Sequence, residues 1–331
     1  MTQSRQPLVS FVVPCYNYGR YLKDCLNSIL TQESENDFEV VLIDDGSTDH
    51  TVEIIQSHSD PRIRVIRHTK NLGHVATIND GLKEARGEFI ARIDPDDRYK
   101  PYFLQETLLK FRTFPEVDLV YGDVALINEQ GKVTLERSDR VHGGRDFKGN
   151  ELLKLLETNF ICSAAVIARR EAWLKTLPVP SHLAFHDWYF TVMMAREHDF
   201  YYINRVLADY RVHSLNHHSR VVQNKTEEPS IFWLLDQIFN QPEKASELEE
   251  QKKRVRNRVY GAQYLALANK YFGFQMEADA KRCYLNALRH QPQYFFRLDV
   301  IRHLMGALIG RRAYDQSKSV LKSLSRIESH R

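Results

Sequence analysis

Little in this sequence permits a covalent or metal framework. The 331 residues include only four cysteines, Cys15, Cys25, Cys162 and Cys283, far apart and without a CxxC pair. That spacing argues against a structural zinc site and a disulfide scaffold, and it points to a reducing, cytoplasmic setting. Long apolar runs are missing too: Phe160 to Ala168 and Leu304 to Gly310 are among the longest. Both fall well short of the ~20 residues that a membrane-spanning helix needs. The apolar stretch Leu8 to Val13 stops at Pro14 with no small-residue cleavage site, so a first strand is expected there rather than a secretion signal. No GxGxxG follows that stretch and no GxxxxGK[ST] occurs anywhere. Their absence counts against NAD enzymes and P-loop ATPases. Basic residues are present without a recognised nucleic-acid reading module, so no nucleic-acid partner is expected.

What is there divides by charge. The formal net charge is only +3, yet from Gln251 onward 17 Lys/Arg face 5 Asp/Glu, against 29 and 38 before it. An acidic larger part with a basic tail suggests two functional surfaces. The first 125 residues alternate short β-branched runs with helical periodicities, the pattern of crossover units on a mostly parallel sheet. Strands are expected at Val9 to Val13, Phe38 to Ile43, Ile63 to Ile66, Phe89 to Ile93 and Leu119 to Val124. Leu22, Cys25, Leu26, Ile29 and Leu30 recur at helical spacing between the first two, and Val75, Ile78, Leu82 and Ala85 between the third and fourth. A hairpin is expected near Asn128 to Gly131, with further strands at Ala164 to Ile167, Tyr201 to Ile203 and Val206 to Arg211, and a helix starts near Asp187.

Ligands of open parallel sheets bind beyond the carboxyl ends of the strands. The residues there are polar clusters: Pro14-Cys15-Tyr16-Asn17, Asp44-Asp45-Gly46-Ser47-Thr48-Asp49, Asn71-Leu72-Gly73 and Asp94-Pro95-Asp96-Asp97. Three carboxylates in four residues repel one another unless a cation or hydrogen-bond donors compensate them. A divalent metal holding a diphosphate satisfies the last cluster, and a helix cap ahead of Pro101 is the competing structural account. In the second cluster Asp49 suits the cap of the next helix, whereas Asp45 is placed to accept hydrogen bonds from a base or ribose.

These segments, with Asn79-x-Gly81-Leu82-x2-Ala85-x-Gly87-Glu88-Phe89-Ile90, resemble family 2 glycosyltransferases of the GT-A fold. The likeness is colinear over about the first 125 residues and continues more weakly through His186-Asp187 and Tyr210-Arg211-Val212-His213 to about residue 220. It implies an α/β fold with a mostly parallel sheet flanked by helices. It also implies an inverting, metal-dependent transfer of sugar from a nucleotide-diphosphate donor, UDP-linked, to a hydroxyl of a saccharide or lipid-linked acceptor in envelope or exopolysaccharide synthesis. By the same resemblance Pro14, Tyr16 and Asn17 line the base, and Asp45 contacts uracil or ribose. Asn71, Gly73 and Asn79 lie beside ribose and diphosphate. Asp96 and Asp97 are the metal-binding element for Mn2+ or Mg2+, with Asp97 the direct ligand and Asp94 a supporting or sugar-contacting acid. Arg211 and His213 reach back to the metal or diphosphate, although His217 and His218 compete with His213 for that match. Asp187 is the general base. Three departures stand out. His186 replaces the usual Glu before that Asp, Leu177 to His182 replaces a Gly-Gly-Phe-Asp/Glu segment, and a family Arg on the catalytic helix is absent, with Met193 near its place, so acceptor recognition transfers least.

Beyond Val222 the chain reads as helical, giving an expected division into residues 1–222 and 223–331. Tyr264, Leu267, Ala268, Tyr271, Ala280, Tyr284, Ala287 and Pro292 follow tetratricopeptide spacing, so a hairpin is expected around 261–292. The basic helices suggest a peripheral membrane contact or a protein contact. A non-catalytic nucleotide-sugar sensor or scaffold acting through this tail is the second reading.

Overall fold

The computed structural model describes residues 6–33, 37–138, 141–213, 221–310 and 314. His217 and His218 lie outside them. The chain divides into two compact units, one of residues 1–155 and 159–216, the other of 156–158 and 217–331.

In the first unit ten strands form one sheet: β1 (Val9–Cys15), β2 (Phe38–Asp44), β3 (Ile63–Arg67), β4 (Phe89–Arg92), β5 (Arg98–Tyr99), β6 (Val117–Ile127), β7 (Val133–Leu135), β8 (Phe147–Gly149), β9 (Val166–Arg169) and β10 (Asp199–Arg211). The main order is β3-β2-β1-β4-β9-β6-β10-β5. The β3-β2-β1-β4 half is parallel, β9 runs antiparallel between β4 and β6, and β6 and β10 are parallel again. This is a mixed α/β architecture whose central strands match the GT-A expectation.

Helices α1 (Gly19–Leu30), α2 (Thr51–Ser57), α3 (His74–Glu84), α4 (Phe103–Thr113), α5 (Leu152–Glu157), α6 (Arg170–Lys175) and α7 (Asp187–Ala195) connect the strands. Leu22, Cys25, Leu26 and Ile29 of α1 are all fully buried in the cluster formed with Phe11, Val13, Val40 and Leu42. Each such Leu or Ile contributes about 1.5–3 kcal/mol relative to exposure. Pro14 sits in a central strand without cost. Val12 O bonds Ile93 N on the β4 side, and the β1–β4 register ends at Val12. The missing donor of Pro14 therefore faces a side that β4 has already left.

Two expectations shift. The two strands read at 201–203 and 206–211 are one, because β10 absorbs the polar pair Asn204-Arg205 through register shifts against β6 between Ile203 and Ala208. The strand read at Ala164 to Ile167 starts at Val166, after a 3-10 turn over Ser163–Ala165.

The second unit contains α8 (Glu227–Asn240), α9 (Ser246–Gly273), α10 (Glu277–His290) and α11 (Leu298–Ile309). The polar stretch read as a boundary at 222–230 thus already includes the first turn of α8. Ala268, Tyr271, Ala280, Tyr284 and Ala287 are fully buried, so the small residues let α9 and α10 approach while the tyrosines fill the seam. The Tyr284 hydroxyl donates to Asn269 at 2.7 Å and that of Tyr271 to Glu228 at 2.9 Å. Among the described residues no helix is long and apolar enough to cross a membrane.

Candidate active site

The loops after β1 and β2 are knitted together before any ligand is considered. Asn17, at φ 58°, accepts the Thr48 and Asp49 amides at 2.8 and 3.3 Å through Oδ1, and its own amide donates to Ser47 at 2.9 Å. Asp49 stands one residue before His50, the N-cap of α2, rather than at the expected cap position, and it serves two helices. One oxygen accepts the Thr51 amide at 3.0 Å and the other the Gly19 amide at 3.1 Å, so it holds the starts of α2 and α1 at once. Tyr16 stands exposed at the mouth and Pro14 lies buried in β1.

Asp45 fixes the next wall. Its carboxylate accepts His68 Nδ1 at 2.7 Å and the Leu72 and Gly73 amides at 2.8 and 2.9 Å. Burial alone would raise its pKa, but these donors hold it below the usual range. Asp45 therefore shapes the Asn71-Leu72-Gly73 turn, where Gly73 takes φ 93° and Asn71 is exposed. Gly46 closes on that turn: at φ +73° it has no room for a side chain, since a Cβ would sit 2.9 Å from the Lys70 carbonyl carbon. We expect Gly46→Ala to cost at least about 1–3 kcal/mol, the usual penalty for a non-glycine residue in this region. A thermal or urea melt measures it, and an unchanged midpoint would contradict the packing described. Asn79 faces elsewhere: its amide exchanges hydrogen bonds with the Val179 backbone at 3.0 and 3.4 Å. It braces the loop that replaces the family's Gly-Gly-Phe segment.

The strand-end acids are held from the far side of the sheet. The Arg211 amide donates to Asp97 Oδ1 at 2.8 Å, and its guanidinium donates to the Asp96 carbonyl at 2.7 Å and to the carbonyls of Asn128 and Glu129 at 3.0 and 3.2 Å. Arg211 is thus a buried strut of the acidic loop. His213 Nε2 lies 2.8 Å from Asp96 Oδ2, with its ring 5.3 Å from that of Tyr21. The structure pairs His213 with Asp96, while Asp97 is nearly sealed and spends one oxygen on the Arg211 amide. Burial raises the pKa of Asp97, with repulsion from Asp96 and Asp94 adding to it. Burial and Asp94 raise that of Asp96, opposed by His213. Burial, with mutual repulsion added to it, disfavours negative charge at this loop, and a divalent cation would offset both effects. Among the described residues no three His, Cys, Asp or Glu side chains are gathered to cage an ion alone.

Sequence reasoning missed the group that joins the site together. Arg92, 1% exposed, donates through Nη1 to Asp94 Oδ1 at 2.8 Å and through Nη2 to Asp187 Oδ1 at 2.6 Å and Ser163 Oγ at 2.8 Å. Ser163 Oγ in turn donates to Asp187 Oδ2 at 3.1 Å. Asp187 opens α7, anchored by Trp188, whose indole donates to the Leu155 carbonyl at 2.7 Å. Burial would raise the Asp187 carboxyl, but the charge of Arg92, with His186 Nε2 2.9 Å away, holds it well below the usual range. His74, at the start of α3, lies 4.6 Å ring to ring from His186 and 3.8 Å from Asp94. Desolvation by the surrounding protein and then the charge of His186 lower the pKa of His74, although its side chain keeps 46% of its surface exposed. The signal for Arg92 was its charge inside the apolar run Phe89-Ile90-Ala91-Arg92-Ile93, and nothing local marked His74 or Ser163.

Comparison with known proteins gives a consistent picture. The family model described as Glycosyl transferase family 2 matches residues 10–177. A chondroitin synthase of Escherichia coli is 37% identical over 134 residues, 40% of this chain but only 19% of that protein. Among solved structures, Staphylococcus aureus TarS 1-349 in complex with UDP-GlcNAc is similar at TM-score 0.65 and 18% identity, covering 93% of this chain and 92% of that one. The mannosyltransferase PcManGT of Pyrobaculum calidifontis, in complex with GDP-Man and Mn2+, is similar at TM-score 0.58 and 17% identity, covering 92% and 87%.

Proposed function

The chain belongs to glycosyl transferase family 2, and on that footing we propose that it moves a sugar, with inversion, from a nucleotide-diphosphate donor to a hydroxyl of a saccharide or lipid-linked acceptor. The observation that carries this reading is the shared guanidinium: Arg92 ties Asp187 to Asp94, so a proton acceptor sits beside the acidic loop that would face a diphosphate. Asp187 takes the proton of the acceptor hydroxyl as that oxygen attacks the anomeric carbon. The bond to the diphosphate breaks on the opposite face, and its electron pair leaves with the phosphate. A positioned base of this kind contributes typically ~10²- to 10⁴-fold.

The residues present fit a divalent cation, Mn2+ or Mg2+. Asp96 and His213 would hold it, with Asp94 beside them and Asp97 bracing the loop behind. When bound it would neutralise charge on the departing diphosphate. Tyr16, Asn17 and the Asp45-ordered turn at Asn71 to Gly73 are assigned to the nucleoside, with a uridine donor the one the family resemblance implies; the two structural neighbours named above carry UDP-GlcNAc and GDP-Man. Envelope or exopolysaccharide assembly is the setting the family suggests.

Thermal shift against UDP- and GDP-sugars tests the donor half, because stabilisation follows preferential binding to the folded state. A rise in Tm that needs Mn2+, disappears with EDTA and is lost in Asp96→Asn is expected. Equal stabilisation with and without cation would reject the Asp96–His213 assignment.

A further inference from the structure

Helix α11 (Leu298–Ile309) is apolar on both sides, yet among the described residues only one side is covered. Val300, Gly306 and Ala307 are buried, whereas Leu298, Met305, Leu308 and Ile309 are 81%, 52%, 50% and 54% exposed. The short turn before it adds Phe295 and Phe296, 65% and 85% exposed, with their rings edge to face at 6.2 Å. An exposed apolar patch of this kind marks a contact surface rather than scatter.

We propose that this ridge is an interfacial insertion element that seats the helical unit on an anionic lipid bilayer. Two observations select lipid over other occupants. The ridge projects side chains at a helix start, with the two phenylalanines nearly free of neighbours, as a wedge entering acyl chains requires. Its charge is also net basic: Arg297 falls between Phe296 and Leu298, and Arg302 lies on the exposed face, where it also donates to the Tyr314 hydroxyl at 3.1 Å. Asp299 is the lone carboxylate between Pro292 and Ile309, and it is paired with Arg297 at 2.6 Å. Residues 311–331 continue the trend in sequence, with six Lys/Arg against two Asp/Glu. Basic residues around an amphipathic apolar face are drawn to anionic headgroups, whereas the like charge of two such ridges opposes pairing of copies.

Flotation of the full chain with vesicles tests this. Binding to phosphatidylcholine–phosphatidylglycerol vesicles is expected to exceed binding to phosphatidylcholine alone by about tenfold or more and to weaken with salt. The double variant Phe295→Ser/Phe296→Ser should lower it by about tenfold or more, and Arg297→Gln/Arg302→Gln should abolish the preference for anionic lipid. Both variants alter exposed residues, so their melting and their thermal shift with nucleotide sugar should match the parent. Equal binding to both vesicle types, or binding unchanged by the phenylalanine variant, would overturn the proposal. So would a parent that is dimeric by light scattering, becomes monomeric in that variant and floats with neither vesicle, since a second copy would then cover the ridge.

Discussion

Asp187→Asn is expected to retain nucleotide-sugar binding and to lose transfer by about 10²- to 10⁴-fold. The amide keeps the size of the carboxylate and accepts from Ser163 or Arg92 through its oxygen, so α7 and the Trp188 anchor should stay in place. What disappears is the capacity to take a proton. Initial rates of product formation measure the loss, and the thermal shift with donor serves as the control. A variant that transfers at the parental rate would remove Asp187 from its role. A parent that binds donor without forming product on any acceptor would favour the scaffold reading. The strong hold of Arg92 makes Asp187 a weak base in the ligand-free site, ionised across the physiological range. Since Arg92 divides its charge between Asp187 and Asp94, the chemistry at one carboxylate is electrically linked to occupancy beside the other.

Arg92→Met should be the most destabilising change at the site. Removing one partner of a fully buried ion pair costs about 3–5 kcal/mol because the remaining charge is stranded. Asp94 and Asp187 are 28% and 33% exposed, and water screens part of that charge, so a loss of about 2–3 kcal/mol is expected. Arg92→Lys keeps the charge but cannot serve Asp94, Ser163 and Asp187 from one planar fork, so it should recover only part of the loss. Urea midpoints give both values. In a cycle with Asp187→Asn the double variant should be less destabilised than the sum of the singles, as contacting residues are. Additive losses would mean that the bridge carries no coupling.

The parallel half of the sheet was legible because β1, β2, β3 and β4 are short apolar runs punctuated by polar clusters, and those clusters do gather at the strand ends. The division of labour among the acids was not legible. The family resemblance implies ligand contacts for Asp45, Asp97 and Asn79, and structural contacts of the same side chains stand beside that expectation. In the folded chain Asp45 orders a turn, Asp97 accepts the amide of a strand far away in sequence, and Asn79 secures Val179. Motif spacing shows which carboxylates share a neighbourhood, but which oxygen is already engaged depends on backbone brought in from elsewhere. Arg92 escaped notice for the same reason, since its three partners come from Asp94, Ser163 and Asp187.

The strut from Arg211 to the acidic loop has a consequence for how this site comes into being. The bond to Asp97 closes a span of 114 residues and the His213–Asp96 pairing one of 117. A polypeptide released after residue 177 would carry nearly every recognisable motif and still lack the residues that lock the acids in place. The acids are therefore locked only once β10 has docked, and closing such long spans costs chain entropy before the contacts repay it.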